Sequence, residues 1–199
     1  MALVYPLTLP TITGIRSVEF RATNAVAYSM SPFTFAGQAH AYAGQMWQVD
    51  VSLPAMQRSK AETWIAFLLS LRGQFGTFLI GDPRGCALRG TATSCTVTGS
   101  AGANTVSATV PDGETLLAGD YIQLGSAASA TLHKVLADYT SPGTASDLEI
   151  WPALRVARTS VAAVLSNTVG NFRLSSNETG WSSDEAAKYG ITFGAMEAI

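Results

Sequence analysis

The sequence predicts a mainly β protein of two units with a single flanking helix, and two observations lead to this prediction. Residues 47–53 alternate apolar and polar side chains, which is the period of a strand with one buried and one exposed face. After Gly85 the composition changes to Thr, Ser, Gly and Ala, and short apolar stretches are separated by regular turn signals. A chain of 199 residues allows one large domain or two small ones, and this change of composition favours two.

The single helix is predicted to follow the strand at residues 47–53. Ser59 and Glu62 have the spacing of a capping box, which places the start of the helix at Ser59. Gly73 is placed to supply the left-handed residue after the last turn. Residues 76–80 then predict a short buried strand. The apolar stripe that docks the helix on the predicted sheet consists of Trp64, Ile65, Leu68 and Leu69.

The N-terminal region predicts an extended arm followed by short antiparallel strands. Residues 1–14 are rich in Pro and Thr and carry little charge, which is typical of an arm that lies on a neighbour. Residues 16–22 alternate as a strand, and residues 26–30 and 33–38 are two further short strand candidates. Residues 39–44 are predicted to form the turn into the strand described above.

Residues 86–160 are predicted to form a small β-barrel-like domain inserted into the first unit. Its candidate strands are residues 105–110, 120–124, 130–138 and 148–151. Residues 189–199 carry apolar side chains on one face and predict a terminal strand, which needs a partner sheet. We therefore expect this strand to pair with the N-terminal strands, so that residues 1–85 and 161–199 form one domain.

Composition narrows the function classes. The chain is 47% hydrophobic and only 13% charged, so it has few charges to cover an isolated surface, and we expect contacts with copies or partners. A net charge of −2 without a basic run argues against nucleic-acid binding. No apolar run reaches the ~20 residues of a membrane span, so no membrane insertion is predicted. Without a secretion signal we expect cytoplasmic synthesis, with Cys86 and Cys95 more often reduced than bridged.

The residues that carry acid–base or metal chemistry give no catalytic motif, and we predict a non-enzymatic protein without a cofactor. His40 and His133 have no metal-ligand spacing and are interpreted as ordinary strand histidines. Three carboxylates near Trp181 are candidates for a glycosidase pair, which requires two of them to line one pocket. The same segment equally predicts an acidic helix start. These carboxylates are Glu178, Asp184 and Glu185.

A candidate glycan platform is the second functional hypothesis from the residues. Aromatic side chains stack on sugars when they are exposed together, and Trp151, Trp181 and Tyr121 are the candidates. The alternative for Trp151 is a place in the core of the second unit or at the interface between the two units. Exposure of the three rings on one surface distinguishes these interpretations.

Two segments carry a resemblance to a known family. Residues 71–83, LRGQFGTFLIGDP, follow an amphipathic helix and look like the helix-to-strand passage of minor tail proteins from long-tailed bacteriophages. Residues 148–155, LEIWPALR, followed by a C-terminal strand, are similar to the second half of the same group. Together with the order of the domains, the chain resembles the distal tail protein, the ring that joins the tail tube to the tail-tip complex.

The resemblance implies a tail-tube-like β-sandwich or split barrel with one flanking α-helix, forming a homo-hexameric ring. Its implied partners are the tail tube protein and the tail-tip hub protein, with DNA passing through the lumen without specific binding. The implied location is the tail tip of the virion, after assembly in the host cytoplasm. Two alternatives stay open: a carbohydrate- or receptor-binding module of the tail tip, and a tail terminator or another tube-like tail protein.

Overall fold

The computed structural model describes residues 3–12, 14–185 and 188–199, and it confirms a mainly β fold with 47% strand and 8% helix. The first elements are β1 (Leu7–Thr8), β2 (Ser17–Met30), β3 (Gly37–Ser52), β4 (Met56–Gln57), α1 (Arg58–Ser70) and β5 (Thr77–Ile80). The middle strands are β6 (Thr96–Gly99), β7 (Thr105–Thr109), β8 (Thr115–Leu116), β9 (Tyr121–Leu124), β10 (Thr131–Val135), β11 (Tyr139–Thr140), β12 (Ser146–Trp151) and β13 (Arg158–Val164). The last strands are β14 (Gly170–Leu174), β15 (Trp181–Ser183) and β16 (Lys188–Glu197).

The first unit is an eight-stranded sheet with the order β1-β5-β14-β16-β3-β2 along its main path. The short strands β4 and β15 both pair with the first part of β16. Strand β16 runs antiparallel to β14 on one side and to β3 on the other, with Ala195 opposite both Leu174 and Val49. The prediction that the terminal strand pairs with the N-terminal strands is therefore confirmed.

Helix α1 packs on the inner face of this sheet. Trp64, Ile65 and Leu68 are buried as predicted, but Leu69 is 54% exposed and Phe67 is buried in its stead. The rings of Trp64 and Phe193 lie 6.3 Å apart between helix and sheet. The buried stripe thus contains three of the four predicted residues and extends to Phe67, whose ring lies 5.8 Å from that of Phe78.

The start of α1 differs from the prediction. The helix begins at Arg58, directly after β4, and Gln57 occupies the N-cap without a side-chain hydrogen bond. Ser59 therefore lies inside the first turn, where its hydroxyl is not placed to cap it, and Glu62 instead pairs with Arg58 at 3.1 Å. Gly73 adopts a left-handed φ of 65° as predicted, but the first left-handed residue after the C-cap Leu71 is Arg72, with a φ of 54°.

Strands β2 and β3 form one long hairpin, which corrects three predictions. Residues 26–30 continue the strand that begins at Ser17, and residues 39–44 belong to β3 and are not a turn. Residues 33–38 contain the reversal between the two strands. The register shifts once, between Asn24 and Val26, which marks a β-bulge.

Part of the N-terminal segment, predicted as an extended arm, pairs with the protein's own sheet. Leu7 and Thr8 pair in parallel with Phe78 and Leu79 of β5. The hydroxyl of Tyr5 donates to the carbonyl of Ser70 at the end of α1, at 2.7 Å. Thr13 and residues 1–2 lie outside the described residues.

The second unit is a closed six-stranded barrel with the order β10-β12-β7-β6-β13-β9, which agrees with the barrel-like prediction. Its own core is lined by side chains such as Val97, Ile122 and Ile150, each fully buried. Strand β13 pairs with β6 and β9 of the barrel, so the boundary predicted between residues 160 and 161 falls inside a barrel strand. The chain rejoins the first sheet at Gly170, where β14 pairs with β5.

Candidate interaction surface

The outer part of the β2–β3 hairpin, residues 22–44, projects as an exposed arm. Every residue of this arm is exposed except Ser31, which is half-buried. The arm contains no Lys, Arg, Asp or Glu over its whole length. A chain that is already poor in charge therefore has none on its most exposed segment.

One face of the arm is entirely apolar. Val26, Tyr28 and Met30 are 53%, 66% and 50% exposed, and their partners across the hairpin are two alanines and Gly37. A Cβ at Gly37 would lie only 2.4 Å from the Tyr28 hydroxyl, so the glycine lets the tyrosine ring lie flat over β3. The consequence is a smooth apolar face that any side chain at position 37 would interrupt.

The tip of the arm presents two phenylalanines. Phe33 is 91% exposed and Phe35 is 73% exposed, with a left-handed φ of 56°. The turn that carries them is held by Ser31, whose carbonyl accepts from the N–H of Phe35 at 2.9 Å and whose own N–H donates to the carbonyl of Ala36 at 2.9 Å. The tip is thus a hydrogen-bonded turn that fixes exposed aromatic rings.

The base of the arm is anchored to the barrel. The indole N–H of Trp151 donates to the side-chain oxygen of Asn24 at 2.8 Å. Gln45, opposite Asn24 in the hairpin, accepts from the N–H of Ala153 at 2.7 Å and from the side-chain amide of Asn104 at 3.2 Å. These contacts fix the direction of the arm relative to the barrel, so its surface is presented in one orientation.

The exposed arm is a candidate interaction surface. Strand β2 is the edge of the sheet, and natural sheet edges are commonly protected by charged residues, proline or short strands. Contiguous exposed apolar surface on a soluble protein marks contact with another molecule. The sequence signal for the arm was the absence of charge between Arg21 and Asp50, rather than any alternation of apolar residues.

A second apolar patch, which we call the edge patch, lies at the opposite side of the sheet. It surrounds Tyr5, whose ring meets that of Phe75 edge-on at 6.0 Å. Phe75 is 72% exposed and Val4 is 79% exposed. We assign to the edge patch four exposed apolar residues that lie in the chain at or next to the groups in contact around Tyr5, namely Leu3, Val4, Leu69 and Phe75.

The three candidate platform aromatics are not exposed together. Tyr121 is 6% exposed, and its ring lies 6.2 Å from that of Trp47 in the first core. Trp151 is half-buried and meets Trp47 edge-on at 4.4 Å. Only Trp181, on β15, is substantially exposed, at 46%. Tyr121 and Trp151 join the two units, and the structure forms no platform from the three rings.

The three candidate carboxylates are exposed, and the cavity beside Trp181 is lined by one of them. A shallow cavity of about 530 Å³ beside Trp181 is lined by Glu178 but by neither Asp184 nor Glu185. Asp184 accepts from the N–H of Lys188 at 2.7 Å, and the described residues 182–185 are not helical. Residues 186–187 of the predicted helix start lie outside the described residues. Across the described ranges, no three His, Cys, Asp or Glu side chains are grouped to hold a metal ion.

His133 is a fully buried structural histidine between the two units. Its Nδ1 lies 2.7 Å from the carbonyl oxygen of Pro152, and its Nε2 lies 2.9 Å from the hydroxyl of Thr131. Burial lowers the pKa of His133 to about 4. The ring is therefore neutral near pH 7. Its two hydrogen bonds connect the start of β10 with the residue that follows β12. His40, in contrast, is exposed on the arm, where its ring meets Tyr42 at 4.7 Å.

Buried polar pairs close the interface between the sheet and the barrel. The Arg155 guanidinium forms two hydrogen bonds with the Glu197 carboxylate, at 3.1 and 2.5 Å. The indole N–H of Trp47 donates to the carbonyl of Leu132 at 2.9 Å.

Both cysteines are free thiols: Cys86 is half-buried, and burial raises the pKa of Cys95 to about 11.

Comparisons with known proteins give no further assignment. No protein-family model matches the chain, and no curated protein matches it significantly. Within the described ranges, α1 with its 13 residues and every other helical segment lack the length and apolar content needed to cross a membrane.

Proposed function

We propose that this chain is a structural virion protein that forms a homo-hexameric ring between the tail tube and the tail-tip hub of a long-tailed bacteriophage. The observation that supports this most is the charge-free exposed arm, residues 22–44, on a protein with only 13% charged residues. A ring requires surfaces that are buried only after assembly. The resemblance of residues 71–83 and 148–155 to distal tail proteins supplies the place in the tail.

Two apolar surfaces at opposite edges of one sheet suit a head-to-tail ring. The arm leaves the sheet at β2, and the edge patch around Phe75 lies next to β1. A contact between two different patches of identical copies is heterologous and generates a closed ring when the rotation per copy closes. In the proposed ring, the arm of one copy covers the edge patch of the next, and the barrels project outward.

The proposal also covers DNA passage, which is argued from the net charge, and the binding partners, which are argued from the resemblance. A net charge of −2 with no basic run suits a ring through which DNA passes without specific binding. The tail tube protein and the hub protein are the proposed partners on the two faces of the ring. A tail terminator or another tube-like tail protein uses the same chemistry of assembly, and partner binding separates these assignments.

The proposal is tested by the mass of the protein in solution, measured by light scattering over a range of concentrations with and without the tail tube protein. The expected result is a hexamer, alone or with the partner. Val26→Glu places a buried charge in the proposed interface and should shift the assembly to monomers. Val156→Glu is the matched control, because Val156 is 52% exposed and Val26 is 53% exposed, but Val156 lies outside the arm.

Two results would contradict the proposal. One is a protein that stays monomeric at every concentration with the tail tube protein present. The other is an assembly that Val26→Glu and Val156→Glu affect equally, since the arm would then have no special part in it. Circular dichroism of both variants establishes that the fold is retained in the comparison.

The cavity beside Trp181 favours glycan binding as a second candidate function. It combines an indole that is 46% exposed with the Glu178 carboxylate and the hydroxyls of Thr179 and Ser182. Sugars are bound by stacking on an aromatic face together with hydrogen bonds to such polar groups. A glycan array with the wild type and Trp181→Ala tests this candidate: binding that survives the substitution, or no binding at all, removes it.

A further inference from the structure

A second cavity, which we call the junction pocket, lies where the chain passes from the sheet into the barrel. Its volume is about 220 Å³. Residues that follow β5 line one side, and residues of β9, β10 and the preceding turn line the other. The charged and phenolic side chains that line it are Asp82, Arg84, Arg89, Asp120, Tyr121 and Lys134.

The two carboxylates of the junction pocket are already engaged by backbone groups. The side chain of Asp120 is 1% exposed, and it accepts from the N–H groups of Arg89, Gly90 and Leu117 at 2.9 to 3.1 Å. Asp82 accepts from the N–H of Arg84 at 2.9 Å within the turn that follows β5. Three cations against two carboxylates leave one net positive charge in the pocket.

Lys134 and Arg84 are the two cations of the pocket without a carboxylate partner among the described residues. The Lys134 ammonium donates to the Tyr121 hydroxyl at 3.2 Å and lies 4.3 Å from the centre of the same ring. Among the described residues, no carboxylate lies within 4.0 Å of Lys134 or of the Arg84 guanidinium. Lys134 is half-buried, so its charge is only partly screened by water.

Tyr121 contributes a donor to the same space. Burial, and then the nearby Asp82 carboxylate, raise the pKa of Tyr121 to about 12, so the phenol is protonated at neutral pH. Its oxygen accepts from Lys134, and within the described part of the chain the hydroxyl donates no hydrogen bond of its own. Tyr121 is only 6% exposed as a whole residue. Its hydroxyl is available to donate to a bound acceptor.

Glycine holds the floor of the junction pocket open. Gly119 has a φ of 96°, and a Cβ there would lie 3.2 Å from Nη2 of Arg89 and 3.8 Å from Cε of Lys134. Two cationic side chains therefore converge over a residue without a side chain. The Arg89 guanidinium lies 3.5 Å from the Asp120 carboxylate, which compensates its charge, whereas Lys134 has no such partner among the described residues.

We infer that the junction pocket binds a small oxyanion, the carboxylate or phosphate group of a ligand. Lys134 and Arg84 supply uncompensated positive charge, and the Tyr121 hydroxyl supplies a neutral donor to the oxyanion. Such a ligand contacts residues from both the sheet side and the barrel side of the junction. Its binding therefore also stabilises the connection between the two units.

The test is a titration of the purified protein with inorganic phosphate and, separately, with acetate, at constant ionic strength, followed by calorimetry. The expected result is saturable binding with one site per chain. Lys134→Met should weaken it by roughly ten- to a hundredfold, the range expected when one charge-assisted hydrogen bond is lost. Lys60→Met is the matched control, because Lys60 is exposed on α1 away from the pocket, and it should leave the affinity unchanged.

Arg84→Gln provides an independent variant, because Arg84 is exposed and its substitution leaves the core intact. It should also weaken binding, whereas the fold measured by circular dichroism stays the same. Tighter binding of phosphate or of acetate identifies the preferred class of oxyanion. The inference is overturned if neither anion shows saturable binding, or if Lys134→Met and Arg84→Gln both bind as tightly as the wild type.

Discussion

Removing Arg155 should destabilise the whole protein strongly. The guanidinium and the Glu197 carboxylate are 15% and 4% exposed, and two hydrogen bonds join them across the interface between barrel and sheet. Glu197 also accepts from the backbone N–H of Trp47 at 3.2 Å. Arg155→Met leaves that carboxylate buried without its cation. Loss of one partner of a buried ion pair costs about 3–5 kcal/mol of unfolding free energy.

Urea unfolding followed by tryptophan fluorescence measures this effect. The double variant Arg155→Met with Glu197→Gln should recover at least half of the loss, because Gln is neutral yet still accepts from Trp47. Arg21→Met is the control, since Arg21 belongs to an exposed ion pair, and it should leave the unfolding midpoint nearly unchanged. A midpoint for Arg155→Met as close to the wild type as that of Arg21→Met would refute the reasoning.

Three further predictions concern buried groups. The pKa of His133 is lowered from 6.5 to about 4 in the folded protein, so stability should be full above pH 6.5 and fall by about 3 kcal/mol as the pH drops towards 4; urea titrations at several pH values measure this, and His133→Gln should lose that part of the slope. Phe172 is fully buried in the first core, so Phe172→Ala should cost about 3–5 kcal/mol in the same assay, and a cost below 1 kcal/mol would mean that the site collapses around the cavity. A thiol reagent at pH 8 should label half-buried Cys86 in the native protein but buried Cys95 only after unfolding, which mass spectrometry distinguishes; labelling of Cys95 first would contradict the burial.

Strands with one buried face and one solvent-exposed face could be predicted from the sequence. Residues 47–53 and 189–193 show this alternation, and both became strands of the first core. The same rule failed on the arm, because both of its faces are exposed and alternation carries no information there. Residues 39–44 were predicted as a turn from their small side chains, but they are held in β3 by pairing with β2.

Boundaries depended on contacts that no local pattern specifies. The sequence predicted the inserted unit but ended it at residue 160, because β13 has a weak apolar pattern and gains its place by pairing with β6 and β9. The helix start at Arg58 is likewise set by β4, which pairs with β16 far along the chain. A capping box at Ser59 was a local signal that this pairing overrode.

The candidate sites show the same limit. An aromatic residue in a sequence is equally compatible with a platform and a core, and only the fold showed that Tyr121 and Trp151 pack against Trp47. The junction pocket was not predicted from the sequence. Strands β6 to β9 separate Arg84 from Lys134 along the chain, and the two residues line one pocket only in the folded protein. The arm had a signal in composition, since no charge occurs within residues 22–44.

The position of β16 sets an order of events during synthesis. This strand is central in the first sheet, yet it follows in the chain every strand with which it pairs. At roughly 5–20 residues per second, the ribosome releases all barrel strands before β14 and β16 emerge. We expect the barrel to fold first and the sheet last. The nascent chain therefore exposes the apolar arm before the first sheet is complete. In the proposed ring, the sheet that carries the arm would thus be completed only after translation has passed residue 197.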